Sequence, residues 1–107
     1  MTIDLPAAVR AAIDAANAND TDAFLACFPP DGVVDDWGRE FAGHDEIRGW
    51  SDHEFIGVKV NLNVVQVAIE DVAVVVTAQV GGDGFNGPSH FTFQVEGTHI
   101  TRMTIRA

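Results

Sequence analysis

Residues 58–80, VKVNLNVVQVAIEDVAVVVTAQV, decide the fold because they read as two consecutive β-strands. Apolar and polar residues alternate over residues 58–64, and the alternation continues in the opposite phase over 65–69. A period of two is typical of a strand with one buried face, and the change of phase predicts a β-bulge near Val64 and Val65 that bends the sheet. The nearly continuous apolar stretch 72–80 predicts a strand that is buried on both faces or lies at a dimer interface.

Two further strands follow this pair. A glycine-rich hairpin loop at 81–84 precedes a strand at 85–95, in which Pro88 marks an edge or a bulge, and Glu96-Gly97 forms the turn into a last strand. Upstream, helical patterns cover residues 7–18, 20–28 and 44–53, and a short strand covers 33–37. We therefore predict an α+β fold, a cone-shaped curved antiparallel sheet with three N-terminal helices packed on its concave face. The interior of such a cone can hold a small apolar molecule.

Length and charge restrict the classes of partner. The chain of 107 residues is predicted to be one domain, 1–107. With 16 acidic residues against 6 basic ones the net charge is −10, which argues against nucleic acid and against anionic membrane surfaces. Cys27 is the single cysteine, so no intrachain disulfide can form. No signal peptide or apolar stretch of about 20 residues is visible, and we expect a cytoplasmic protein.

Asp36 is the main catalytic candidate. An aspartate beside Val33, Val34 and Trp37 has poor β-propensity, which calls for a reason. Asp36 is either a pocket carboxylate that acts as a base, or an acid at the end of the strand that faces water beside Asp35. Because side chains alternate along a strand, only one of the two aspartates can point inward.

Several other residues are candidates for substrate contact, each with a simpler structural alternative. Trp37 and Trp50 either line a pocket and stack on a flat ligand or pack in the core. His53 either borders the pocket mouth as a proton-transfer group or lies at a solvated helix end. The four histidines lack the spacing of a metal-binding pair, and we expect no metal.

The last two strands supply the remaining candidates. Ser89 and Thr101 can donate hydrogen bonds to a ligand carbonyl, although strand hydroxyls are usually surface residues. Phe91 and Met103 are expected to line the pocket, or simply to belong to the core. His90 has the opposite parity to Ser89 and Phe91, so we expect it to face away from the pocket.

The chain resembles the nuclear transport factor 2-like superfamily, specifically its branch of ketosteroid isomerases and SnoaL-like polyketide cyclases. Three segments carry the resemblance: residues 17–28, then 33–38 with 43–48 (VVDDWG and GHDEIR), and finally 89–93 with the last strand. In the isomerases an aspartate removes a proton next to a carbonyl, while a tyrosine and a protonated aspartic acid stabilise the enolate oxygen. Position by position, the resemblance places the base at Asp36, the acidic donor at Ser89 and the tyrosine at or near Ala12, in a chain that has no tyrosine.

The resemblance implies the following function. We expect the protein to bind a small, largely apolar, carbonyl-bearing molecule and to perform isomerase- or cyclase-type acid–base chemistry without a cofactor. Related limonene epoxide hydrolases use an Asp-Arg-Asp set, of which Asp36 and Arg39 are present without a convincing second aspartate in the last strands. The alternative is a non-catalytic ligand-binding or dimerisation module of the same fold. We also expect a homodimer through the outer sheet face.

Overall fold

The computed structural model describes residues 5–70 and 73–106. The chain start, where no signal peptide is expected, and Val72 of the valine-rich strand lie outside these residues. The described chain contains three helices, α1 (Ala7–Asn17), α2 (Thr21–Ala26) and α3 (Gly43–Glu54), and a 3-10 turn at Ile56–Val58. Its six strands are β1 (Val33–Asp36), β2 (Arg39–Ala42), β3 (Asn61–Glu70), β4 (Ala73–Gly81), β5 (Gly87–Glu96) and β6 (His99–Arg106). The predicted α+β class is confirmed.

The six strands form one sheet in the order β2-β1-β6-β5-β4-β3. All neighbours are antiparallel except β1 and β6, which pair in parallel, so the prediction of a purely antiparallel sheet is wrong at this point. The sheet is open, with β2 and β3 at its edges. Strands β3–β6 follow one another as an antiparallel meander after α3, whereas β1 precedes α3. The parallel pair arises because β1 lies alongside β6, the last strand of this meander.

Strand β2 was not predicted from the sequence. It is joined to β1 by the two residues Trp37 and Gly38, whose φ values of +55° and +89° are those of a tight hairpin turn. Glycine adopts a positive φ freely, whereas a bulky aromatic residue rarely does. The turn therefore holds Trp37 in an unusual conformation directly after Asp36.

Helices and sheet enclose a core on one face of the sheet. Val74, Val76, Ala78 and Val80 of β4 point into it and are buried, whereas the intervening side chains are half-buried or exposed. Within the chain, β4 therefore buries only one of its faces, so the predicted alternative of a strand buried on both faces is wrong. The core also contains the three fully buried aromatic residues Phe24, Phe28 and Phe93.

Two β-bulges change which side chains face the core. Val65 is left without a partner between the pairs Val64–Ala78 and Gln66–Thr77, which confirms the bulge predicted from the change of phase. A second bulge leaves Thr101 unpaired between Ile100 and Arg102, opposite Val95 and Gln94.

No helix within residues 5–70 and 73–106 is long and apolar enough to cross a membrane.

The strand predicted to begin near Val58 begins instead at Asn61. A 3-10 turn ends at Val58, and Lys59 follows in the left-handed conformation with φ of +57°. This segment positions Val58 and Val60 at the wall of the cavity described below.

Candidate active site

A cavity of about 350 Å³ opens between the β1–β2 hairpin, the end of α3 and the start of β5. Its floor consists of largely buried side chains: Asp36, Trp50, Phe55, Ser89 and Phe91. Its rim consists of exposed side chains: Trp37, Arg39, His53, Glu54 and Phe85. The size is at the lower end of the range for small-molecule sites, which suits a ligand of one to a few rings.

The sheet register places the polar floor residues Asp36 and Ser89 on either side of an apolar row, which Ile105 and Phe91 form. Asp36 of β1 is opposite Ile105 of β6, and Ile105 is opposite Phe91 of β5. Adjacent strands lie about 4.8 Å apart, so the backbones at Asp36 and Phe91 are about 10 Å apart. Ser89 precedes Phe91 by two residues and shares its face. A ligand lying on the row can thus have the carboxylate on one side and the hydroxyl on the other.

Asp36 points into the cavity with its side chain 15% exposed. Its Oδ2 accepts two hydrogen bonds, from Nε1 of Trp50 at 3.0 Å and from Nη2 of Arg39 at 2.6 Å. Its Oδ1 has no hydrogen-bond partner in the part of the chain that the structure describes. One oxygen is therefore fixed by the protein, and the other is available to a ligand.

Arg39 links Asp36 to a second carboxylate at the rim. Its guanidinium donates to both carboxylate oxygens of Glu54, at 2.7 and 3.0 Å, while it also holds Asp36. The Arg39 hydrogen bonds lower the pKa of Glu54 from its ordinary value, and the Glu54 hydrogen bond raises the pKa of Arg39. No local sequence pattern points to Glu54 in this role, since it lies 15 residues from Arg39.

The neighbouring Asp35 faces the opposite side of the sheet. It accepts hydrogen bonds from Arg106 at 3.1 Å, from Arg102 at 2.8 Å and from the backbone N–H of Gly38 at 2.8 Å. The Arg106 hydrogen bond is the main cause that lowers the pKa of Asp35, with Gly38 and Arg102 adding to it. The two adjacent aspartates therefore serve different purposes, one structural on the outer face and one in the cavity.

The other floor residues combine an apolar wall with one free hydroxyl. The rings of Trp50 and Phe55 stack with their centroids 4.9 Å apart, and the ring centroids of Phe55 and Phe91 are 6.4 Å apart. Ser89 is only 4% exposed, and its hydroxyl has no hydrogen-bond partner among residues 5–70 and 73–106. Among the described residues no fully buried side-chain oxygen lacks a hydrogen-bond partner, so the Ser89 oxygen keeps some accessible surface. Since Ser89 lines the cavity, its hydroxyl can donate to a ligand oxygen.

The remaining predicted contacts divide between the rim and the core. His53 lies at the rim, where Nδ1 donates to the carbonyl of Gly49 at 2.8 Å. Met103 is buried in the core and Thr101 donates to the carbonyl of Gln94, and neither lines the cavity. Thr101 is the bulge residue of β6.

Two further expectations concern residues outside the cavity. His90 is exposed on the face opposite Ser89 and contacts Thr77, as its parity predicts. Ala12, the position matched to the family tyrosine, is buried in α1 and supplies no donor. Among the described residues, no group of three or more His, Cys, Asp or Glu side chains is arranged to hold a metal ion.

Comparison with known proteins identifies the same fold and family. The model of the SnoaL-like domain family matches residues 9–103. A Sinorhizobium meliloti crystal structure, provisionally described as a polyketide cyclase, is 28% identical with a TM-score of 0.84, and the match covers 96% of both chains. A Catenulispora acidiphila protein of ketosteroid isomerase-like fold, in complex with trimethylamine, is 23% identical with a TM-score of 0.80, covering 97% of this chain and 87% of that one.

A designed protein shares the fold as well. A computationally designed 17-OHP binder is 17% identical with a TM-score of 0.80, and the match covers 98% of this chain and 92% of the other. At this identity the likeness concerns the fold alone. No curated protein sequence matches the chain.

Proposed function

The chain belongs to the SnoaL-like domain family of the nuclear transport factor 2-like superfamily, and from this premise we propose that its cavity binds a small, largely apolar carbonyl compound and that Asp36 acts on it as a base. The observation that carries the proposal is the arrangement of Asp36, which lines the cavity with Oδ2 fixed by Trp50 and Arg39 and with Oδ1 lacking a hydrogen-bond partner among the described residues. Such a carboxylate is oriented for proton transfer before the ligand arrives, which is what general base catalysis requires.

The proposed reaction is an enolisation. Oδ1 of Asp36 takes a proton from the carbon next to the carbonyl; the electron pair of the broken C–H bond moves to the carbonyl oxygen, where Ser89 donates a hydrogen bond. Asp36 then returns the proton to another carbon in an isomerisation. In a cyclisation the enolate carbon attacks a second carbonyl carbon of the ligand, the π bond of that carbonyl breaks, and the resulting alkoxide takes the proton from Asp36. Both outcomes need only proton transfer, so we propose that no metal ion or cofactor takes part.

The donor set at the enolate oxygen predicts a slow reaction. The resemblance matches the family tyrosine to Ala12 or a position close to it, and the acidic donor to Ser89, a weaker hydrogen-bond donor. Loss of one donor to a developing oxyanion costs about 100- to 1000-fold in rate. The non-catalytic alternative, a ligand-binding or dimerisation module, rests on the same loss. It predicts binding without turnover.

A second candidate activity rests on Arg39. Its guanidinium lies between two carboxylates, Asp36 and Glu54, as in the Asp-Arg-Asp set of the epoxide hydrolase-like relatives, although here the second acid comes from α3. In this arrangement Asp36 would take a proton from water as the water attacks an epoxide carbon. The bond from that carbon to the epoxide oxygen breaks, and the resulting alkoxide takes the proton from Asp36 to complete the diol. Formation of a diol from a small cyclic epoxide, lost in Asp36→Asn, is the test of this activity.

Tryptophan fluorescence provides the test of ligand binding, because Trp37 and Trp50 both line the cavity. We expect a Δ5-3-ketosteroid or an aromatic polyketide to quench the emission in a saturable manner. Asp36→Asn should abolish turnover and preserve quenching, whereas Asp31→Asn, a surface acid outside the cavity, should change neither. Absence of saturable quenching with either compound class would refute the binding proposal.

We also propose a homodimer that forms through the outer face of the sheet in a cytoplasmic setting. A domain of this size buries a limited share of its surface, so association would stabilise it. The outer face of β4 and β5 contributes Val75, Thr77 and Thr92, uncharged side chains that are compatible with a sheet-to-sheet contact. Light scattering at micromolar concentration should give twice the monomer mass of 11.5 kDa.

A further inference from the structure

We infer that the cavity selects a ligand that carries a positive charge, a protonated or quaternary amine, at the end that lies on the rim. The inference rests on the proposed binding function and adds the charge of the ligand to it. It is carried by two independent features, the charge balance of the lining and the aromatic side chains at the opening.

The charges that line the cavity do not cancel. Among the lining residues that the structure describes, Asp36 and Glu54 provide two carboxylates, whereas Arg39 provides one guanidinium and His53 adds no charge when its imidazole is neutral. Arg39 already donates three hydrogen bonds to these carboxylates, so it is poorly placed to receive an anionic ligand. The cavity therefore keeps an excess of one negative charge, in a chain whose net charge of −10 also attracts cations over longer distances.

The rim adds aromatic surface to this charge. Trp37 and Phe85 are 59% and 57% exposed although both are large and apolar, and both line the cavity. The backbone positions each of them: Trp37 has a φ of +55°, and a Cβ at Gly87 would lie 3.2 Å from the Phe85 ring, so the ring packs closely against that glycine. Exposed aromatic faces beside an acid attract ammonium groups through cation–π interactions.

Burial separates the two ends of the site. The floor side chain Asp36 is 15% exposed, whereas Glu54 at the rim is 41% exposed. A carbonyl group placed on the floor therefore reaches the proposed base, while an amine at the other end of the same ligand lies at the rim, which Glu54, Trp37 and Phe85 line. Glu54 and Asp36 both accept from Nη2 of Arg39, so these two carboxylates differ in burial and lie close together. This arrangement leaves Oδ1 of Asp36 free for proton transfer.

A matched series of ligands tests the inference. 2-Acetylnaphthalene serves as the neutral probe, and its 6-trimethylammonium and 6-carboxylate derivatives serve as the charged probes, all measured by isothermal titration calorimetry at low salt. We expect the cationic probe to bind about threefold to tenfold more tightly than the neutral one and the anionic probe more weakly than either. Raising the salt concentration should weaken the cationic probe and leave the neutral one nearly unchanged.

Two variants locate the effect on the rim. Glu54→Gln should remove most of the preference for the cation and improve binding of the carboxylate, because it deletes the excess charge and releases Arg39. Glu96→Gln changes the net charge equally but lies outside the cavity, and it should keep the preference. Equal or tighter binding of the neutral or anionic probe would overturn the inference while the binding proposal stands. Failure of all three probes to bind would overturn both.

Discussion

Trp50 donates a hydrogen bond from Nε1 to Oδ2 of Asp36 at 3.0 Å, across 14 residues of sequence. The bond joins the middle of α3 to the end of β1, and the second carboxylate oxygen of Asp36 has no hydrogen-bond partner among the described residues. Trp50 is 4% exposed and stacked on Phe55, so the donor cannot move far. Helix α3 thereby fixes the orientation of the candidate base, which makes Trp50 a positioning residue.

Replacement of Trp50 by phenylalanine should separate this hydrogen bond from packing. Trp50→Phe keeps an aromatic ring against Phe55 but removes one of the two donors to a largely buried carboxylate oxygen. We expect the free energy of unfolding to fall by about 1–2 kcal/mol. For the control Trp37→Phe, at an exposed position, we expect a change within about 0.5 kcal/mol. Equal thermal midpoints for the two variants would show that the Trp50 hydrogen bond contributes no stability.

Because Trp37 has a positive φ, we predict that its replacement by asparagine raises the stability of the fold and lowers the affinity for the ligand. In Trp37→Asn the turn would consist of asparagine followed by Gly38, which is the preferred pair for a hairpin turn of this type. We expect the variant to be more stable by about 1 kcal/mol, because asparagine tolerates this backbone conformation better than tryptophan. Ligand affinity should fall at the same time. A thermal midpoint below that of the wild type would contradict this interpretation of the turn.

The Arg39–Glu54 ion pair makes a prediction about titration. Because the Arg39 hydrogen bonds lower the pKa of Glu54, this carboxyl should titrate below the ordinary range of glutamate in the wild-type protein. In Arg39→Gln the pKa of Glu54 should rise. Carboxyl ¹³C shifts followed by NMR from neutral to acid pH measure both values. The same titration midpoint in the two proteins would show that Arg39 does not hold Glu54 in solution.

Asp35 predicts how the fold responds to acid. Its pKa is lowered in the folded state, chiefly by Arg106, so its contribution to stability is present above the unfolded value near 3.9 and is lost as the pH falls through the lower folded value. Asp35→Asn should therefore destabilise the protein by about 2 kcal/mol at pH 7. The difference from wild type should shrink below pH of about 4. A difference that does not change with pH, measured by urea unfolding, would contradict this role.

Much of the fold could be predicted from periodicity, and the errors have physical causes. The change of phase near Val65 predicted a real bulge, because an extra residue moves all later side chains to the other face. A similar change of phase lies between Ile100 and Met103, both buried, and the extra residue there, Thr101, donates to the carbonyl of Gln94 and lies outside the cavity. Strand β2 has no alternating apolar pattern, since its side chains are exposed except Phe41, so only its pairing with β1 reveals it.

The candidate site was predictable in part. Parity and the family resemblance together placed Asp36, Ser89 and Phe91 on one face, and the structure brings all three to one cavity. Glu54 could not be inferred, because its role depends on the angle at which α3 ends beside the β1–β2 hairpin. Long-range pairs of this kind follow from tertiary packing and leave no local pattern in the sequence.

Hydrogen–deuterium exchange on a bound ketone tests the central claim that Asp36 removes a proton next to a carbonyl. The methyl signal of 2-acetylnaphthalene in D₂O, followed by ¹H NMR, reports this step whatever the natural substrate is. We predict exchange above the buffer rate with the wild-type protein, slowed about 100-fold or more in Asp36→Asn while the dissociation constant stays within a factor of about three. Saturating ligand with exchange at the buffer rate, or equal exchange in Asp36→Asn, would contradict the account.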